Sequence, residues 1–160
     1  IFTVDTATGA ATRVTTLVGG SSIFKFTEKG CQLVTRYGTS CAGTGGFAPK
    51  FSIGGCPSPG GTISLEFTDG LGGTGGLLLF GVGQAAVPLG GGCEFALGVL
   101  LPPNFPFALG GNGAGAGSAS LPVPLPNYLS PGSFTMQAIF VDAGNPLFVT
   151  LTNGVEITFP

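Results

Sequence analysis

The sequence predicts an all-β chain: a disulfide-stapled β-sandwich, Ig-like or jelly-roll-like, with an extra N-terminal hairpin or strand. Three observations predict it. Glycine (31 residues) and proline (13) punctuate the 160-residue chain throughout, and no window of a dozen residues sustains a helical apolar period without meeting one of them. Short β-like runs recur between turn signals at spacings of about 8 to 15 residues, as in sandwiches and barrels. Four cysteines stand at 31, 41, 56 and 93, none in a C-x-x-C pair, in a chain without histidine. That pattern fits two disulfides in an oxidising compartment better than a zinc site.

The candidate strands are 1–4, 11–18, 22–27, 31–36, 47–53, 62–67, 76–83, 93–100, 118–125, 134–141, 147–152 and 155–159. They divide into an N-terminal β segment, 1–30, and a sandwich domain, 31–160. In "TISLEF", Ile63, Leu65 and Phe67 alternate with Thr62, Ser64 and Glu66, the period of a strand with one buried face. "GLLLFGVGQAAVPLGGGC" is a core strand that Pro88 is expected to end. "GGNGAGAGSAS" (110–120) is expected to be a mobile surface loop between strands, because no Lys-Ser or Lys-Thr follows to make it a phosphate cradle. "LPPNFPF" and "LPVPLPNYLSP" are extended segments expected at sheet borders or in connections, where proline's missing N–H is tolerated.

The last run, "FVTLTNGVEITF", contains Asn-Gly, the strongest short hairpin signal. A two-residue loop would set Leu151 against Glu156. A three-residue loop, 152–154, sets Leu151 opposite Val155 and Val149 opposite Ile157, with Gly154 left-handed. The longer loop is the expected one.

For the cysteines three pairings are possible, and Cys41 with Cys93 and Cys31 with Cys56 is the one expected. Each bridge would stabilise by roughly 3–4 kcal/mol in the loop-entropy model.

Charged residues make up 8% of the chain, against ~25% in an average one. Disordered chains are charge-rich and apolar-poor, whereas this one is 43% hydrophobic with 14 phenylalanines. The basic residues Arg13, Lys25, Lys29, Arg36 and Lys50 form no run, which argues against nucleic acid or an anionic membrane as partner. No segment has the length and continuity of a transmembrane helix, since 76–101 is broken by Gln84, Pro88, Glu94 and the glycines 90–92. The chain begins at Ile1 without a signal peptide, and is read as a mature chain or a fragment.

Chemistry is thinly provided. Gly81, Gly83 and Ala86 spell G-x-G-x-x-A, the pyrophosphate-binding pattern of dinucleotide folds. A helix must follow those glycines, and Pro88 and the glycines 90–92 forbid one; the glycines are architectural. The carboxylates are Asp5, Glu28, Glu66, Asp69, Glu94, Asp142 and Glu156, with no histidine to serve as base. Glu66 and Asp69 are expected to flank a solvated turn, the alternative being a carboxylate pair or a weak calcium site. No G-x-S-x-G elbow occurs, and Lys25, Lys29 and Lys50 offer only a formal Ser–Lys arrangement. No enzymatic activity, cofactor or metal is expected.

From "RYGTSCAGTGGFAPKFSIGGCPSPGG" through "LLLFGVGQAAVPLGGGC", "FTMQAIFVDAGNP" and "TNGVEITFP", residues 36–160 resemble a secreted β-rich module of planctomycete-type bacteria. Such modules commonly sit at the C-terminal end of large extracellular proteins, and the resemblance implies no activity. "IFTVDTATGAATRV" resembles a repeat of bacterial β-propellers, in which it makes a hairpin between two strands. A blade needs about four strands. One orphan hairpin leaves Ile1, Phe2, Val4, Val14, Leu17 and Val18 in need of a cover.

The leading expectation is therefore a non-enzymatic extracellular structural protein, the subunit of a filament, pilus-like fibre or surface layer. Its assembly residues would be Ile1, Phe2, Val4, Val14, Leu17 and Val18, added head-to-tail as a strand to the next copy. The alternative is an anchoring or carbohydrate-binding module of a larger secreted protein, weakened by the absence of Trp and by only two tyrosines, Tyr37 and Tyr128. Asn104, Asn112, Asn127, Asn145 and Asn153 all lack a sequon, so any glycans would be O-linked to Ser and Thr.

Overall fold

A computed structural model describes residues 33–159 together with the backbone of two N-terminal strands, β1 (Phe2–Val4) and β2 (Ala11–Arg13). These two pair antiparallel in a sheet of their own, with Phe2 opposite Arg13 and Val4 opposite Ala11. The expected strand 22–27, Cys31, and the assembly residues Ile1, Val14, Leu17 and Val18 lie outside the described residues, as do the side chains of Phe2 and Val4.

The remaining strands are β3 (Val34–Tyr37), β4 (Lys50–Gly54), β5 (Thr62–Gly72), β6 (Gly75–Gly90), β7 (Cys93–Ala108), β8 (Gly113–Pro124), β9 (Gly132–Val141), β10 (Val149–Leu151) and β11 (Gly154–Phe159). One 3₁₀ turn, Thr44–Gly46, precedes β4. They form two antiparallel sheets. The larger runs β3-β11-β9-β6-β7, with β10 beside β9, and the smaller runs β4-β5-β8. The chain is thus the all-β, disulfide-stapled sandwich that its sequence predicts. Among the described residues no helix is long and apolar enough to cross a membrane.

The alternation in β5 does what it promised. Ile63, Leu65 and Phe67 are buried while Thr62, Ser64 and Glu66 face outward. They meet Leu78, Met136, Ala138 and Phe140 of the larger sheet in one core with Phe51, Val155 and Ile157. Phe51 stacks on Phe67 at 4.7 Å between ring centres, and Phe140 meets Phe67 edge-on at 6.0 Å. Each such ring removed from water stabilises the fold by roughly 1.5–3 kcal/mol.

β9 is buried on both faces. Met136 and Ala138 look into the core, while Thr135 and Gln137 lie under the distal half of the β6–β7 hairpin. β6 pairs with β9 only from Gly76 to Gly81; beyond that point the hairpin leaves the sheet plane and folds back over its outer face. Gln137 holds it there, donating to Glu94 O and accepting from Ala96 N at 2.9 Å each. A Cβ on Gly81 would stand 2.8 Å from Val99 O, and Gly83 has φ +76°, so the bend needs both glycines. Cys93 is bonded to Cys41, which ties the hairpin tip to the segment beside β10.

Several expectations are corrected. Pro88 does not end its strand; β6 continues to Gly90, and Gly91 and Gly92, both left-handed, make a two-residue turn into Cys93. The Gly/Ala tract 110–120 is no loop: most of it belongs to β8, which pairs with β5 and carries Leu121 and Val123 toward the core. Glu66 and Asp69 flank no turn, because β5 runs through both with a bulge at Asp69. In 47–53 the strand starts only at Lys50.

The terminal hairpin is the largest departure. β10 and β11 do not pair with each other; both lie end to end along β9, Leu151 opposite Ile139 and Val155 opposite Met136. Thr152 and Asn153 form a bulge between them. Thr152 N donates to Ala138 O, and its hydroxyl accepts from Ala138 N, both at 3.0 Å. Gly154 is not left-handed; it lacks a side chain because the Tyr37 ring lies where a Cβ would stand, 2.6 Å from its Cζ. Burial drew the whole run 149–159 into one extended partner for β9, which outweighs a local turn preference.

Candidate assembly surface

The three-stranded sheet is narrower than the sheet it covers, and the inner face of β6 and β7 runs on past it. Along β6 the inward positions are Leu78, buried, Phe80, half-buried, and Val82, 48% exposed. Their β7 partners are Phe105 opposite Leu78, Leu101 opposite Phe80 and Val99 opposite Val82; Val99 is 65% exposed and Phe105 53%. A face built as core, with large apolar side chains at every second residue, therefore ends in solvent. Two adjoining hollows mark the place and share Phe80 and Phe105. One, about 310 Å³, is closed by Leu65, Leu121 and Val123; the other, about 440 Å³, by Leu101, Pro102, Pro103 and Phe134. No ionisable side chain lines either.

The groove lies between two strand edges, and hydrogen bonds show which way each edge points. On β8, Leu125 N donates to Gly61 O of the segment entering β5, whereas Ser118 N and O bond Gly110 on the other side. Backbone groups alternate sides along a strand, so Ser120, Pro122 and Pro124 also turn outward. On β7, Glu94 O and Ala96 N and O bond Gln137 and Tyr37 on the side away from β6. Gly98, Leu100 and Pro102 continue that outward series. Past the irregularity at 102–104 the β6 side is recovered at Leu109, whose N–H bonds Thr74 O, so Pro106 turns outward. The expected siting of the prolines on sheet borders holds, and Pro102, Pro106, Pro122 and Pro124 fall on outward positions. The Gly110–Ser118 bridge joins the two rims at one end.

Neither the tryptophan-free composition nor the short apolar runs drew attention to Val82, Val99, Leu101 and Phe105. Their signal was the proline-rich run after Leu101, which is half of a 16-residue strand.

Asp69 pairs with Lys50 at 2.7 Å, and among the described residues no three metal-ligating side chains converge. Asp142, buried at the end of β9, accepts from Thr44 N at 3.0 Å, Thr44 Oγ1 at 2.5 Å and Gly144 N at 2.9 Å. Burial alone would raise its pKa, but the Thr44 hydroxyl and the two backbone amides outweigh it and hold the carboxyl below the usual range. Asn145 follows in the same corner, donating to Ala42 O and Gly91 O. All the valences of this corner are spent on holding loops. Tyr37, whose hydroxyl donates to Ala96 O, has its pKa raised chiefly by burial; Tyr128 is exposed. Of the expected cysteine pairs, Cys41–Cys93 is present; Cys31 of the other lies outside the described residues.

No protein family, no curated protein and no solved structure matches this chain.

Proposed function

We propose that the chain is a non-enzymatic structural protein of the extracellular surface that assembles with copies of itself. The observation that carries this reading is the uncovered core-like face at Phe80, Val82, Val99, Leu101 and Phe105. Contiguous apolar surface of this kind marks an interaction site rather than a resting surface. A groove between two strand edges, apolar on its floor, suits an extended segment that contributes backbone bonds and alternate side chains. The apolar N-terminal segment 1–18, with Ile1, Phe2, Val4, Val14, Leu17 and Val18, is the donor, and a head-to-tail contact of this type that does not close into a ring builds a fibre. The Cys41–Cys93 disulfide and the resemblance of 36–160 to secreted modules agree with an extracellular site.

Negative-stain microscopy and sedimentation of the purified full chain test it. Fibres or layers are expected. A single monodisperse species of 15.8 kDa at all concentrations overturns the reading.

A further inference from the structure

We infer that strand addition is confined to one window on the β7 rim, residues 98–101, and that its occupant is the β1–β2 hairpin of a second copy. The inference rests on the self-assembly reading above and adds where, and by what, the backbone bonds are made.

Elsewhere the groove's rims offer no two successive outward donors among the described residues. An incoming strand needs outward N–H donors, and proline has none. On β8 the outward series is Ser118, taken by Gly110, then Ser120, Pro122 and Pro124. On β7, positions 94 and 96 are taken by Gln137 and Tyr37, while Pro102 and Pro106 are mute. Between them stand Gly98 and Leu100, two successive outward residues whose donors and acceptors meet no partner on that side among the described residues. The side chains of this face beside them, Val82, Val99 and Leu101, are exposed and apolar, and Leu100 is exposed on the opposite face. The other end of the larger sheet, β3, has four residues and carries Arg36, and short or charged edges resist pairing.

The occupant follows from length, charge and pattern. Two outward residues serve a strand of about three, and β1 has three residues, Phe2–Val4. Within 1–13 Asp5 and Arg13 cancel, and no ionisable side chain lines the groove beside the window, so a neutral apolar strand meets a neutral apolar face without burying an unpaired charge. Phe2 and Val4 alternate with Thr3, as a strand laid over Val99 and Leu101 requires.

The test is sedimentation velocity on the full chain, wild type beside Leu100→Pro and Val99→Lys, with the 1–13 peptide as competitor. Leu100→Pro deletes one outward donor on a strand that already tolerates three prolines, and should weaken self-association about tenfold or more. Val99→Lys puts a charge on a 65% exposed side chain and should do the same with an unchanged melt; it decides the matter should the proline variant misfold. Excess 1–13 peptide should dissolve the assemblies. A monomeric wild type overturns the self-assembly reading itself. Wild-type assemblies that both variants form equally well overturn the window and leave that reading standing. Variants that fall apart while removal of 1–18 and the peptide change nothing overturn the occupant, and point to β7 pairing with β7 of a second copy.

Discussion

The side-chain amide of Asn153 pairs with the backbone of Phe51 as a neighbouring strand would: Oδ1 accepts from Phe51 N and Nδ2 donates to Phe51 O, each at 3.0 Å. Asn153 sits in the bulge between β10 and β11, and Phe51 on the outer edge of β4. One side chain thereby joins the two sheets and closes the edge of the smaller one.

Replacing Asn153 by Ala orphans both groups beside a fully buried ring. A buried unsatisfied donor or acceptor costs about 1–3 kcal/mol, so Asn153→Ala should lose about 3 kcal/mol in urea unfolding. Asn153→Asp keeps the acceptor, loses the donor and should fall between.

Gly81→Ala and Gly83→Ala separate two ways of needing a glycine. The first meets the backbone of Val99 at 2.8 Å; the second meets nothing and suffers only its left-handed φ. The φ penalty is about 1–2 kcal/mol. The Gly81 variant should lose more and should show faster amide exchange over 84–97. A ligand-binding role for these glycines would leave stability unchanged.

The Cys41–Cys93 bridge spans 52 residues, and the loop-entropy relation gives about 4 kcal/mol for it. Replacing both cysteines with Ala should lower the melting temperature by that equivalent. Exchange protection should fall first in the hairpin tip, where Val87 and Leu89 are exposed and little apolar surface holds it down.

Acid should unlock the corner at Asp142. Its carboxyl is held below the usual range, so the folded state binds that proton more weakly than the unfolded one. The stabilisation is fully present above the ordinary carboxylate pKa of about 3.9 and is lost as pH falls through the lower folded value. Stability measured from pH 6 to 2 should decline in that lowest range, and Asp142→Asn should flatten part of the decline.

What could be read beforehand followed the strength of each local signal. Alternation in 62–67 located a strand and its buried face, because a period of two has one physical meaning. The prolines marked sheet borders, because a missing donor is intolerable elsewhere. Asn-Gly misled because Ala138 and Phe51 supply partners for Thr152 and Asn153 from far along the chain, and no local pattern records them. The tract 110–120 misled for the opposite reason: glycine and alanine carry no face, so only pairing with β5 makes them a strand. The exposed face at Val82 and Val99 was hidden in plain apolar runs, since a sequence shows which side chains want cover but not which lack it.

Pro102 stands at one end of the window on β7, and Ala96, held by Gln137 and Tyr37, stands at the other. A three-residue strand set between a position with no donor and one already occupied has a single depth at which both of its outward pairings can be made. Each subunit of a fibre would then sit at the same depth in its neighbour, and diffraction from aligned fibres would show a sharp axial spacing instead of a smear.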